Sequence, residues 1–204
     1  NNKFMTAHNS ITCYVRYILS RPNIVFFLTA SLLLFVFQFI QQFIVDLAYH
    51  RALIENQEYW RLLTGGLVHA NTAHLLLNIA GLFCLLMLYE HQITTQVLCG
   101  ISLLLVFCVN IAIYVLLPST EFYLGFSGAL HGLYTWYSIV EWARKRSWFP
   151  VCVILLLMIK LGIDALSGNN FSSEIIGMRV HWQSHWIGSL AGVVLALAYK
   201  RKAA

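Results

Sequence analysis

Ile101-Ser-Leu-Leu-Leu-Val-Phe-Cys-Val-Asn-Ile-Ala-Ile-Tyr-Val-Leu-Leu-Pro118 contains no Lys, Arg, Asp or Glu. Its apolar residues run on without alternating with polar ones, which argues against the strand of a membrane barrel. Taken back to residue 93, the run reaches the ~17–25 residues that a membrane-spanning helix needs. A helix satisfies all its backbone polar groups within the segment, as a hydrocarbon surrounding demands. Pro118 cannot continue it and marks its end.

Working outward, five more runs of this kind appear, giving spans at about 22–45, 72–90, 93–117, 126–143, 148–166 and 182–199. Pro22 suits the first turn of the first helix, and Pro150 the first turn of the fifth. Hydrophobic residues make up 59% of the 204 and charged residues 10%, against about 25% charged in a soluble domain. The fold class expected is therefore all-α: a polytopic membrane protein of six transmembrane helices, forming one domain over residues 1–204. No internal repeat, low-complexity tract or inverted repeat of a transporter is visible. The first apolar run is too long for a cleavable signal peptide and lacks a small-residue cleavage site. The chain opens Asn1-Asn2 without methionine, so a trimmed or altered N-terminus is expected.

Charge gives orientation. Lys3, Arg16, Arg21, Arg144, Lys145, Arg146, Lys200, Arg201 and Lys202 fall on one side of the six spans, and Arg51, Arg61 and Arg179 on the other. Nine basic residues against three place both termini in the cytoplasm. The net charge of +5 is explained in this way, and with no basic-aromatic repeat no nucleic-acid partner is expected. Lys160 precedes Asp164 by one helical turn inside the fifth span. An ion pair that neutralises two costly charges is the favoured reading; a site for a polar substrate group is the other. Cys84, Cys99, Cys108 and Cys152 lie in apolar runs and read as buried apolar residues rather than a disulfide framework.

Two polar residues stand out within this apolar frame. Ser127 lies in Gly125-Phe126-Ser127-Gly128, where a loop turns into an apolar helix. Alone, a serine there reads as a helix cap. Gly125 permits a tight turn, however, and Gly128 removes a side chain beside the hydroxyl. Free N–H groups of the first helical turn can donate to an oxyanion. His185 opens the last span, which carries Gly188 and Gly192 on one face; Gly128 and Gly132 form a similar small-residue face. Packing these faces together would bring a nucleophile and a base to hydrogen-bonding distance, or simply pack two helices. No acidic residue lies close by in sequence, so a Ser–His dyad is expected. His74 and Asn78, four apart on one helix face, read equally as oxyanion donors and as polar glue between helices. His69 reads as a structural hydrogen-bonder. His131, one turn after Ser127, reads either as a residue that packs on His185 and fixes its tautomer or as a core histidine. The loop of residues 46–71, with Tyr49, Tyr59, Trp60 and Arg61, suits the membrane interface. The histidines have no carboxylate at metal-ligand spacing, so neither a metal nor any other cofactor is expected.

Trp60-Arg61, His69, His74-x-x-x-Asn78, Gly125-Phe126-Ser127-Gly128 and His185-x-x-Gly188-x-x-x-Gly192 together resemble the rhomboid intramembrane serine proteases, from about residue 59 to the end of the chain. The resemblance implies a rhomboid-like bundle with Ser127 as nucleophile and His185 as general base. It implies an oxyanion hole made by His74, Asn78 and the Ser127 N–H, and a structural role for Trp60 and Arg61. Within the family, the stretches 59–65, 73–78 and 125–132 are most similar to rhombosortase, the bacterial branch that processes C-terminal Gly-Gly sorting tails. His131 stands where general rhomboids usually carry tyrosine. Phe126 is bulkier than the usual leucine and is expected to narrow the cleft; Ser184 replaces the usual alanine. The implied setting is a bacterial inner membrane with the active site open to the periplasm. Partners would be membrane lipids and single-span substrates with a C-terminal anchor, the acyl-enzyme being resolved by water or an amine. A general rhomboid with other single-span substrates, or a catalytically silent chaperone on the same fold, are the competing expectations.

Overall fold

A computed structural model describes residues 22–89, 93–167 and 171–203. The N-terminus, the expected absence of a signal peptide and Lys3, Arg16 and Arg21 lie outside those residues, as do the side chains of Lys200, Arg201 and Lys202. Six long helices occupy the expected spans: α1 (Pro22–Phe43), α4 (Thr72–Leu88), α5 (Thr95–Leu116), α6 (Ser127–Lys145), α7 (Phe149–Ser167) and α9 (Trp182–Ala203). Pro22 begins α1, and Pro118 follows the C-cap of α5. Asn71 caps α4 by accepting from the His74 N–H at 2.9 Å, and Thr94 caps α5.

Among the described residues, Ile24–Phe43, Thr95–Leu116 and Phe149–Leu166 are long and apolar enough on their own to cross a membrane; Thr72–Leu88 is apolar but shorter. α6 and α9 are more polar than the apolar spans expected at 126–143 and 182–199. The reason for α6 is its position. It lies in the middle of the bundle, where Thr135, Ser138 and Glu141 are buried among other helices instead of facing lipid. Glu141 pairs there with Lys145 at 2.8 Å, Ser138 hydrogen-bonds Tyr89, and Tyr89 stacks on Tyr137 at 4.7 Å. The outward faces of the other helices show the reverse pattern: Leu32 and Phe39 on α1, Leu156 and Leu166 on α7, and Val194 on α9 are exposed. An exposed apolar belt of this kind is solvated by hydrocarbon. Cys84 and Cys152 belong to it: both are exposed, and Cys99 and Cys108 are half-buried. The expectation of buried cysteines is thus corrected, since in lipid an apolar run need not be buried in protein.

The closest packing joins α6 to α9. A Cβ on Gly188 would run into the Gly128 carbonyl, and one on Gly192 into the Gly132 carbonyl. The two small-residue faces therefore meet backbone to backbone, as such faces do in membranes.

The 46–71 loop is folded, which the sequence did not show. It holds β1 (Tyr49–His50), α2 (Arg51–Glu55) and α3 (Arg61–Thr64). β1 pairs antiparallel with β2 (Phe122–Tyr123), Tyr49 opposite Tyr123. Arg51 donates to the Tyr114 and Leu117 carbonyls at 2.8 and 3.1 Å, occupying orphan acceptors at the C-terminus of α5. Arg61 donates to Ala48 O at 2.8 Å and Glu58 at 2.7 Å, and its guanidinium covers the Trp60 ring at 4.4 Å. The Trp60–Arg61 pair thus ties the loop to itself. A further short helix, α8 (Phe171–Ile176), is held to α4 by Asn71 Nδ2 donating to Ile176 O at 2.7 Å.

Candidate active site

The site is built at the N-terminus of α6. Gly125 has φ +118°, and a Cβ there would lie 2.6 Å from Cε1 of the His74 ring. Glycine is required twice over, by the backbone conformation and by the approach of that ring. The Gly125 N–H donates to Gly65 O at 3.1 Å, and its carbonyl accepts from the Tyr123 hydroxyl at 3.0 Å. Burial pushes the Tyr123 phenol up to about 12, so it stays a donor. β2 and α3 thus pin the turn from both sides.

Ser127 is the first residue of α6, and the N-cap position falls to Phe126, which makes no side-chain cap. The capping reading of Ser127 does not hold; its Oγ lies 3.0 Å from His185 Nε2. First-turn N–H groups beside that oxygen have no acceptor within the helix. Phe126 is itself buried in the main hydrophobic core and lines neither cavity described below. The expectation that it narrows the cleft is corrected: the turn at Gly125 sends its ring inward.

His185, 3% exposed, is held on three sides. Ser127 faces Nε2. The His131 ring lies parallel to it, with centroids 4.0 Å apart and an interplanar angle of 10°. Asp164 Oδ2 lies 3.4 Å from Nδ1, and Lys160 Nζ lies 2.5 Å from the same oxygen. The ion pair expected within α7 is present, but its carboxylate also reaches the histidine. Asp164 lies 21 residues before His185 in sequence, and α7 and α9 bring the two together. Its only signal was an acidic residue in an apolar run. His131 Nδ1 donates to Ser127 O at 2.7 Å. The expected packing of His131 on His185 is present; a parallel stack fixes a ring's plane and makes no hydrogen bond to its nitrogens.

His74 and Asn78 face the serine from α4, and both line a cavity with it. The Ala70 N–H points at His74 Nδ1 at 3.4 Å. A nitrogen that accepts leaves the proton on the other one, so Nε2–H is free to donate. Asn78 Nδ2 gives one hydrogen to His74 O at 2.9 Å, and an amide nitrogen has a second. His69 differs from expectation. Its ring nitrogens are buried without a hydrogen-bond partner, and its ring meets His74 edge-on at 4.9 Å. Its backbone N–H, not its side chain, makes the hydrogen bond, to Gln38 Oε1 at 2.8 Å. Burial lowers the His69 ring to about 3, which keeps it neutral and suited to a packing role. Among the described residues no group of three His, Cys, Asp or Glu side chains is arranged to hold a metal ion.

Two cavities meet at Ser127. One, of about 400 Å³, is lined by polar and apolar side chains alike, Thr120, Arg179 and His181 beside Leu124 and Met178. The other, of about 520 Å³, lies between α4, α6 and α7 and is lined mainly by apolar side chains such as Leu77, Leu130 and Leu156. Both cavities thus reach one hydroxyl. Residues 56–202 match the Rhomboid domain. The chain belongs to the rhomboid family. Rhomboids are intramembrane serine proteases, and the match covers every residue of the site described above. No curated protein matches this rhomboid in sequence.

Proposed function

We propose that this protein is an intramembrane serine endopeptidase in which Ser127 attacks the scissile carbonyl and His185 takes its proton. The observation that carries the reading is the 3.0 Å contact between Ser127 Oγ and His185 Nε2, at the junction of a mixed and a mainly apolar cavity. The Ser127 N–H, His74 Nε2–H and the second Asn78 amide hydrogen stabilise the oxyanion, His131 holds the plane of His185, and residues 1–204 act as one domain. The protein lies in a bacterial inner membrane with both termini cytoplasmic. Ser127 opens to the periplasm, at the end of α6 opposite Arg144, Lys145 and Arg146. Lipids and single-span anchors are its partners.

The preferred substrate is a secreted protein ending in Gly-Gly, an apolar anchor and a basic tail. An amide in a membrane helix is shielded by its own hydrogen bonds and must be met unwound. Glycine costs about 1 kcal/mol relative to alanine in a helix interior, so a Gly-Gly pair frays the end of the anchor. Water or an amine resolves the acyl-enzyme.

A serine-reactive fluorophosphonate should label the wild-type chain and leave Ser127→Ala unlabelled; equal labelling of both ends the protease reading. For the substrate, Gly-Gly→Ala-Ala in such a tail should abolish processing more severely than changes within its anchor. Unchanged cleavage of that tail, together with cleavage of unrelated anchors, would make the protein a general rhomboid.

A further inference from the structure

We infer that Asp164 is a positioning residue for His185, and that Lys160 fixes the direction in which its carboxylate faces. The inference rests on the Ser127–His185 reading and extends that pair onto a third helix, α7.

Most of α7 is turned to lipid: Leu155, Leu156, Ile159, Ile163 and Leu166 are exposed, whereas Leu161 and Asp164 are buried. A charge at this depth is costly and needs a partner. Lys160 supplies one, and its side chain is 42% exposed against 4% for Asp164. A pair serving only to neutralise itself has no need of the interior, because the long lysine stem can carry its head outward. Here the carboxylate is turned inward and the lysine follows it.

The consequence lies in the tautomer. Ser127 alone does not choose between the two neutral forms of His185, since a hydroxyl both donates and accepts. The His131 stack does not choose either. A carboxylate oxygen only accepts, so Asp164 Oδ2 at 3.4 Å from Nδ1 favours the form with its proton on Nδ1. Nε2 is then left with a lone pair facing Ser127 Oγ, the form that a general base requires. A 3.4 Å contact is long, as such contacts often are without substrate, and it can tighten as the imidazolium forms. During reaction the Ser127 proton moves to Nε2, while the Nδ1 proton stays on His185, directed at Asp164. Because Lys160 already neutralises the carboxylate, Asp164 acts through orientation more than through charge.

The full chain in detergent micelles, reacted with a fluorophosphonate, tests this. Ser127 Oγ bonds to phosphorus, fluoride leaves and His185 takes the proton, so the labelling rate reads the base. Asp164→Ala should slow labelling about tenfold. Asp164→Asn should slow it further, towards the ~10⁴-fold loss that a wrong tautomer causes in the soluble Ser–His–Asp template. In that variant Lys160 takes the amide oxygen and the NH₂ group donates to Nδ1, forcing the proton onto Nε2. Selective ¹⁵N-histidine spectra should show His185 protonated on Nδ1 in the wild type and on Nε2 in Asp164→Asn. The Lys160→Met/Asp164→Leu double variant removes both charges and restores any stability lost to an unpaired ion, yet should stay slow. Wild-type rates in the double variant, or equal rates in Asp164→Asn and wild type, would overturn the inference. Should Asp164→Asn not fold, the double variant decides. Labelling of Ser127→Ala as fast as wild type would instead defeat the Ser–His reading beneath it.

Discussion

α6 and α9 touch through their backbones; α7 touches them through side chains and leaves a cavity of about 520 Å³ on its inner side. Along the first contact, glycines face carbonyl groups with no room for a methyl. Along the second, a mostly lipid-exposed helix meets the bundle at a few points, Leu161 and Asp164 among the buried ones. The close seam carries Ser127 and His185, whose separation, on the proposed function, must be kept to tenths of an ångström for proton transfer. The open flank offers the space that the proposed function requires for a substrate segment to reach them. Rigidity and access are thus assigned to different pairs of helices.

The comparison breaks most completely at the seam. A Cβ at Gly188 overlaps the Gly128 carbonyl, and that oxygen belongs to a helix backbone that cannot turn aside. Gly188→Val should separate α6 from α9, lower the thermal midpoint sharply and abolish fluorophosphonate labelling. Overpacking typically costs about 1–3 kcal/mol, and this position should lie at the upper end or beyond. If Gly188→Val keeps both its midpoint and its labelling, the two helices are not locked as described.

The next effect in size should come from α4, which faces the seam across the cavity. His74→Ala and Asn78→Ala should each leave folding intact and lower turnover. A lost oxyanion donor costs about 2.7–4 kcal/mol when it acts alone, and less where three donors share the charge. Asn78 is already bonded to its own helix at 2.9 Å, so His74 should be the costlier loss. Stable variants with full turnover would reduce both residues to polar contacts between helices.

This division was only partly legible in the sequence. The six helices were, because each apolar run is bounded by a proline, a polar cap or a charge, and lipid permits little but a helix. So was the approach of Ser127 to His185, since glycine at i and i+4 marks a face whichever way a helix is turned. The pairing of Asp164 with Lys160 was legible, but its reach to His185 was not, because that depends on the rotation of α7 against α9, and an apolar helix surrounded by lipid carries no pattern fixing that rotation. Phe126 was misjudged because the positive φ of Gly125 decides where its ring goes. The loop between α1 and α4 was hidden for another reason. Its order comes from Arg51 and Arg61 binding carbonyls distant in sequence, and such bonds leave no periodicity.

The smallest effect expected concerns the outer end of the seam. His181 precedes α9; its Nδ1 accepts the Ser184 N–H at 3.3 Å and its Nε2 lies 3.2 Å from Thr120 Oγ1. The ring therefore joins the start of α9 to the segment after α5, and only in its neutral form, since a protonated Nδ1 cannot accept. Burial first, and then the nearby His185, lower His181 from 6.5 to about 4. Between those values the unfolded chain binds a proton that the folded chain refuses. Stability must then fall as pH is lowered from about 6.5, and the loss is complete below about 4. His69, lowered to about 3, adds a slope of the same sign that continues a little further down, whereas Asp46 contributes only below its ordinary 3.8. Thermal midpoints of the full chain in detergent should therefore drop between pH 6.5 and 4. His181→Gln, which keeps a donor and an acceptor but does not titrate, should flatten the drop without removing it, because His69 remains. An unchanged slope in His181→Gln would mean that the ring takes up protons freely and does not fasten the seam at that end.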